Sequence, residues 1–152
     1  MRVGLISDTH GLLRPEAEAA LEGVERILHA GDVGRPEVLA RLERLAPVTA
    51  VRGNVDAGGW AEALPETATL TLAGRRLHVL HDRAALALDP AAEGVAVVVS
   101  GHSHRPSITR EAETLFVNPG AAGPRRFRLP VTLALLDLGD EAAEARLVRL
   151  LE

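Results

Sequence analysis

The chain has no cysteine and no tyrosine, and aromatic residues make up only 2% of its 152 positions. Without cysteine there is no disulfide, no thiolate nucleophile and no cysteine-ligated zinc. With so few aromatic rings, the core must be built from leucine, valine and alanine, and an aromatic platform for stacking bases is not expected. Lysine is absent too: all 17 basic residues are arginine, a weak marker of heat adaptation that says little about function. The net charge of −4 gives nucleic acid no general attraction. No apolar run approaches the ~20 residues of a membrane-spanning helix. The N-terminal Arg2-Val3-Gly4-Leu5-Ile6-Ser7 reads as a strand and not as a signal peptide, so a cytoplasmic protein is the default expectation.

Hydrophobic residues account for 47% of the chain. That content and the length suit one domain over residues 1–152 with one core. Val3–Ser7 is a short apolar run of the kind buried on both faces. Pro15 opens a helix with Ala17, Ala20, Leu21 and Val24 on one side, and Arg26–Ala30 reads as a second strand. Pro36 opens another helix, with Val38, Leu39, Leu42 and Leu45 on its stripe and Pro47 ending it. Val48–Arg52 follows as a third strand. This β-α-β-α-β order predicts parallel strands with right-handed crossovers. The second half reads as hairpins. Ala68–Leu72 and Arg75–Leu80 turn at Ala73-Gly74, Arg83–Leu88 is a short helix, and Val95–Ser100 is a dense β-branched strand. Ser107–Thr109 with Thr114–Val117, and Val131–Leu138 with Ala142–Leu150, form two further hairpins.

The polar residues are placed with regularity. Asp8, Asp32, Asn54, His81 and His102 each follow an apolar run, and open α/β sheets bind ligands beyond the carboxyl ends of their strands. Asp8 with His10, and His102 with His104, lie two apart, so in extended chain each pair would address one cavity. Gly31, Gly53 and Gly101 stand directly before three of these residues and permit close approach. Carboxylate, imidazole and amide oxygen together suit manganese, iron, zinc or nickel better than calcium. Seven ligands exceed what one ion holding water would use, and two ions sharing a carboxylate account for them. Paired ions ~3.5–4 Å apart stabilise in-line phosphoryl displacement and supply hydroxide near neutral pH. No protein nucleophile is then required.

Asp8-Thr9-His10-Gly11, Gly31-Asp32, Gly53-Asn54, a strand-end His81 and Gly101-His102-Ser103-His104 occur in that order and together resemble the calcineurin-like metallophosphoesterases. Val51-Arg52-Gly53-Asn54-Val55-Asp56 and Asn118-Pro119-Gly120 are similar to the small single-domain phosphodiesterase branch of that superfamily. The resemblance implies an α/β fold: two packed mixed β-sheets flanked by helices, a four-layer α-β-β-α sandwich. It implies Asp8, His10, Asp32 and His104 around a first metal. Asp32, Asn54, His81 and His102 would surround a second, with Asp32 as the bridge and manganese as the favoured ion. Asp32, His10 and Asn54 are the residues expected to bear most directly on catalysis. The implied activity is attack on a phosphodiester by hydroxide shared between the ions. The alternatives are a non-catalytic protein-interaction scaffold on the same fold, as in the retromer subunit, and a narrower nucleotide phosphatase or nuclease.

Two positions depart from the pattern. Val55 stands where many relatives have a histidine, so modest activity biased toward good leaving groups is expected. Asp82 stands where relatives usually have glycine, and either tightens its loop or adds negative charge near the second metal. Arg52, Asn118 and Arg125 are candidate substrate-binding residues, with Arg126 and Arg128 in the same basic cluster and Asn118 alternatively pinning its loop. His29 reads as a support for Asp32 or as a packed histidine. Asp56 reads as a ligand support or a cap, His78 as a surface residue, and Trp60 as a pocket edge or packing residue. The stretch from Asn54 to His81 is too short for a substantial cap domain, which implies an open cleft and broad specificity for a small phosphoester. A homo-oligomer is compatible with the sequence.

Overall fold

Alternation along the first strand sets the architecture. In β1 (Arg2–Ile6), Val3 and Leu5 face one apolar layer and Ile6 faces another; a Cβ on Gly4 would meet Leu21 on that second side. A strand apolar on both faces lies inside the molecule. The computed structural model describes all 152 residues, Met1–Glu152. In it, β1 is the central strand of a five-stranded sheet. Helix α1 (Pro15–Ala20), β2 (Arg26–His29), α2 (Pro36–Glu43) and β3 (Val48–Ala50) follow in chain order. β1, β2 and β3 are parallel neighbours, as the β-α-β-α-β pattern predicts. The sheet is completed by β9 (Thr132–Leu138), antiparallel to β1, and β10 (Ala143–Arg149) at its edge.

The second sheet has the order β4 (Thr67–Leu72), β5 (Arg75–Leu80), β6 (Val95–Val99), β8 (Thr114–Asn118) and β7 (Ser107–Glu111). β5, β6 and β8 run parallel, with antiparallel β4 and β7 at the edges. Between the sheets, Val3, Leu5, Leu28 and Leu136 join Leu77, Val79, Val97 and Val117 in one cluster. On the outer face of the first sheet, Ala17 and Leu21 from the α1 side and Val38 and Leu42 of α2 cover Ile6, Ile27 and Leu135. The sandwich of two mixed sheets is as expected.

The helical cover is uneven. Over the second sheet, the helix expected across Arg83–Leu88 is a single 3-10 turn, Arg83–Ala85. Leu86 and Leu88 both pack on the cluster of Leu80, Val95, Val98 and Phe116. Residues two apart face the same way in extended chain and not in a helix, so seating both leucines opposes helix formation. This cover also corrects the reading of His78. Its side chain alternates away from His81 as expected, but it is buried and its Nδ1 lies 2.7 Å from the Thr69 hydroxyl. α3 (Gly59–Glu62) carries Trp60 onto the helix-side cluster, so that ring packs. No helix is long and apolar enough to cross a membrane.

The layers should differ in their tolerance of truncation. Leu136→Ala, between the sheets, is expected to cost about 2–5 kcal/mol, whereas Leu86→Ala on the thin cover is expected to cost under about 1.5 kcal/mol. Urea unfolding of the two variants measures both; equal losses would contradict this layering.

Candidate metal centre

Both parallel trios deliver their carboxyl ends to one place. Asp8 follows β1, Asp32 follows β2, Asn54 follows β3, His81 follows β5 and His102 follows β6. A sixth strand end joins these five, since Asn118 is the last residue of β8. The loops are stitched together by their backbones. Asp8, His10 and Gly11 donate N–H groups to the carbonyls of Gly31, Asp32 and Val33, and Gly101 donates to His81. Two glycines are required for close approach. A Cβ on Gly53 would strike the Asp32 carboxylate, and one on Gly101 would strike the Ser7 hydroxyl and the Asp8 carboxylate.

All seven residues singled out from the sequence meet at this point. Asp8 Oδ1 lies 3.4 Å from His104 Nε2, 3.8 Å from His10 Nε2 and 4.0 Å from His81 Nε2. Asp32 Oδ2 lies 3.7 Å from His10 Nε2 and 3.2 Å from His81 Nε2. His102 Nδ1 lies 3.2 Å from Asn54 Oδ1 and 3.3 Å from His81 Nε2. Two groups of donor atoms are close enough to hold an ion each: Asp8, His10 and His104, and Asp8, Asp32 and His81. The pairs two residues apart do share the cavity, but not in extended chain as the spacing predicts. Asp8, His10, Asp32, His102 and His104 have φ of 53°, 46°, 54°, 71° and 62°. Non-glycine residues adopt this left-handed conformation rarely, and it persists where surrounding structure compels it, most often at functional sites.

The donor chemistry fits a divalent cation. Asp8 is fully buried; its Oδ2 accepts from the Ser7 hydroxyl and the His102 N–H, yet its Oδ1 has no hydrogen-bond partner. Burial pushes its carboxyl above the usual range, against the opposing effects of the Ser7 hydroxyl, His81 and His104. Burial also opposes ionisation of Asp32, but His81, the Val55 N–H and His10 outweigh it and hold that carboxyl low. His81 shows the complementary behaviour: burial disfavours its proton, and Asp32, the Ala30 carbonyl and Asp8 more than restore it. Its Nδ1 donates to the Ala30 carbonyl at 2.7 Å, which leaves Nε2 facing Asp32 as the free donor. His104 is lowered by burial, with Arg126 and His10 adding to the effect against Asp8.

A second ring of residues fixes the loops. His29 is fully buried between the Asp8 and Asp32 segments. Its Nδ1 accepts from the Gly31 N–H at 3.1 Å, and its Nε2 meets the Thr9 hydroxyl at 3.0 Å. That hydroxyl donates to the Val33 carbonyl, so it accepts from Nε2–H, and the imidazole must be neutral. His29 is thus a support, and its hydrogen bonds go to Thr9 and Gly31 and not to a candidate ligand. Asp56 accepts from the N–H groups of Val33, Gly34 and Gly53, tying the Asp32 loop to the Asn54 loop. Ser7 and Thr9, each beside Asp8, were not distinguishable in the sequence from ordinary strand-end residues.

The residues expected to bind substrate separate. Arg52 lines a hollow of about 290 Å³ with Asn54, His81 and Asp82, and pairs with Glu66 at 3.2 Å. Asn118 spends its amide on the Gly101 carbonyl, the Ser103 hydroxyl and the Gly120 N–H. It therefore holds the loop, the second of the two roles its position suggested. Arg125 turns to the Glu152 carbonyl, while its neighbour Arg126 is the arginine whose charge reaches His104. A second hollow of about 190 Å³ is lined by Asp82, His102, Ser103 and Asn118 among others. Asp82 borders both hollows. It caps the 3-10 turn through the Ala84 N–H, and its carboxylate lies 3.9 Å from His102 Nε2.

A family model described as the calcineurin-like phosphoesterase superfamily domain matches residues 1–141. The chain belongs to this superfamily. A probable metallophosphoesterase of Methanothermobacter thermautotrophicus is 34% identical over 161 aligned positions, spanning 98% of this chain and 92% of the relative. A solved structure described as a novel archaeal phosphodiesterase superposes with a TM-score of 0.79 at 23% identity, over 97% of this chain and 100% of the other. Vps29 from Entamoeba histolytica, solved in complex with zinc, gives 0.75 at 22% identity over 99% of both chains. These two likenesses concern the fold. Superfamily membership implies a metal-dependent phosphoester hydrolase, and the clustered carboxylates and imidazoles are its candidate ligands.

The neutral state of His29 has a measurable consequence in this phosphoesterase. Burial lowers its pKa from 6.5 to about 4. Between those values the unfolded chain binds the extra proton. The stabilisation is therefore complete above pH 6.5 and falls as the pH drops toward 4, by roughly 3 kcal/mol in all. His29→Asn, which loses the bond to Thr9, should cost about 1–2 kcal/mol at pH 8 and lose less further stability at pH 5 than wild type does. Urea unfolding at the two pH values decides; identical losses in both proteins would refute the assignment.

Proposed function

We propose that this chain is a phosphodiesterase that works with two divalent ions. The observation that carries the reading is the pair of donor groups close enough to hold an ion each, with Asp32 Oδ2 lying 3.7 Å from His10 Nε2 of one and 3.2 Å from His81 Nε2 of the other. Asp8, His10, Asp32 and His104 would hold the first ion; Asp32, Asn54, His81 and His102 would hold the second. Manganese is the favoured occupant, with zinc, iron and nickel in the same donor class. When bound, such ions supply Lewis acidity toward phosphoryl oxygens and lower the pKa of water to about 7.

The chain's own residues orient this chemistry. The Ala30 carbonyl fixes the His81 ring, and the Val55 N–H fixes Asp32 through Oδ1. Asp82, 3.9 Å from His102 Nε2, favours the tautomer protonated there, which leaves the lone pair on Nδ1, the nitrogen beside Asn54. The two hollows bordered by Asp82 offer room for the leaving-group arm of a diester. Arg52 stands at the edge of the larger one, where its guanidinium can meet a phosphate oxygen in exchange for Glu66. Val55 is half-exposed beside Asn54 and offers no proton to a leaving group. Good leaving groups are therefore favoured. The archaeal structure described as a phosphodiesterase lends the same reading support.

The likeness to Vps29 favours a scaffold reading, and turnover separates the two. Manganese-loaded protein should hydrolyse bis(p-nitrophenyl) phosphate faster than p-nitrophenyl phosphate. Asp32→Ala should reduce metal content from about two equivalents to below one and activity at least ~100-fold. Full metal occupancy with no turnover of any phosphoester would favour the scaffold; two ions retained by the variant would remove Asp32 as the bridge.

Asp82→Gly should leave the fold intact while weakening metal at the His102 side by about 10-fold or more. Manganese titration by calorimetry reads this, and an unchanged second-site affinity would deny Asp82 an orienting role.

A further inference from the structure

One of the chain's three aromatic rings is not used in packing. Phe127 is 91% exposed, more than any other large hydrophobic residue in the chain. Its backbone sits at φ 54°, which a bulky residue rarely adopts. It belongs to the loop Gly123-Pro124-Arg125-Arg126-Phe127-Arg128-Leu129-Pro130, whose base is closed where Ala121 pairs with Val131. The loop is anchored on the metal-centre segment itself. Ala122 donates its N–H to the Ser7 carbonyl, and Gly123 lies so close to Thr9 that a Cβ there would overlap the Thr9 backbone. Across from the loop stands Arg105, the residue after His104. Arg105, Phe127, Arg128 and Leu129 line an open hollow of about 530 Å³. Arg105, Arg126 and Arg128 are exposed, and none has an ion-pair partner.

We infer that this loop is the subsite for a nucleoside arm of the substrate, with Phe127 stacking the base and the unpaired arginines meeting phosphate. The inference rests on the phosphodiesterase reading and names a class of diester, a nucleoside 5′-phosphate ester. An exposed ring beside unpaired arginines matches the two chemical faces of a nucleotide, since every base has a π-face and every phosphate a charge. The hollow lies within the size range of small-molecule sites. A single ring does not make the multi-base platform that the aromatic-poor composition argues against. It serves one base, which points to a mononucleotide unit and not to a polymer tract.

Binding tests this apart from turnover. The full chain, titrated calorimetrically with adenosine 5′-monophosphate and with ribose 5-phosphate, should bind the nucleotide at least ~5-fold more tightly. Phe127→Ala should abolish that preference, Phe127→Trp should restore it, and Arg126→Gln/Arg128→Gln should weaken both ligands together. In turnover, Phe127→Ala should lower kcat/KM for the p-nitrophenyl ester of thymidine 5′-monophosphate about 10-fold. The same variant should leave ethyl p-nitrophenyl phosphate, which has the same leaving group, unchanged. Equal affinity of wild type for the two ligands would overturn the subsite even if both esters are cleaved. Failure to cleave either ester alongside a nucleotide preference would overturn the phosphodiesterase reading instead. A concentration-dependent dimer that Phe127→Ala dissociates would also overturn the subsite, assigning the ring to a second copy of the chain.

Discussion

The structure turns on one buried carboxylate. Asp8 is fully removed from solvent, with one oxygen satisfied by Ser7 and the His102 backbone and the other facing three imidazoles without a hydrogen bond. A charge left in that position costs several kcal/mol unless a partner compensates it. Unaided, the carboxyl responds by rising above its usual pKa, toward the neutral form. A divalent cation held there would stabilise the ionised carboxylate and engage the imidazole nitrogens that point inward.

Much of the remaining fold keeps Asp8 and its neighbours in that geometry. The parallel trios β1–β2–β3 and β5–β6–β8 bring six strand ends together, and the cluster between the sheets fixes their relative depth. Five candidate ligands sit in left-handed backbone, which no single loop would hold by itself. The constraint comes from outside the ligands: His29 braces Thr9 and Gly31, Asp56 gathers three N–H groups, and Asn118 closes the Gly101–Ser103 turn. Loss of any brace should relax the loop it holds before it disturbs the sheets.

The strand-end ligands were legible in the sequence because each follows an apolar run and because glycine precedes three of them. The β-α-β-α-β half was legible for a similar reason, with Pro15 and Pro36 marking helix starts. The braces were not. Ser7 and Thr9 resemble any strand-end hydroxyls, and His29 could equally have been a packed side chain; only the loop-to-loop pairing reveals which groups they hold. The left-handed backbone at Asp8 and His104 was illegible because residues two apart suggest extended chain. The sequence left Asn118 and Arg125 open between substrate contact and support because it gives proximity without direction; both donate to backbone carbonyls. His78 was misread because the leucines that cover its face, Leu86 and Leu88, lie in a segment that reads as helix.

In the proposed centre, seven side chains hold two ions that share Asp32. Anomalous diffraction from crystals grown with manganese tests it most directly. Two peaks ~3.5–4 Å apart are expected, one beside His10 and His104 and the other beside His81 and His102, with Asp32 touching both. A single peak, two peaks without Asp32 between them, or no peak among these residues would contradict it.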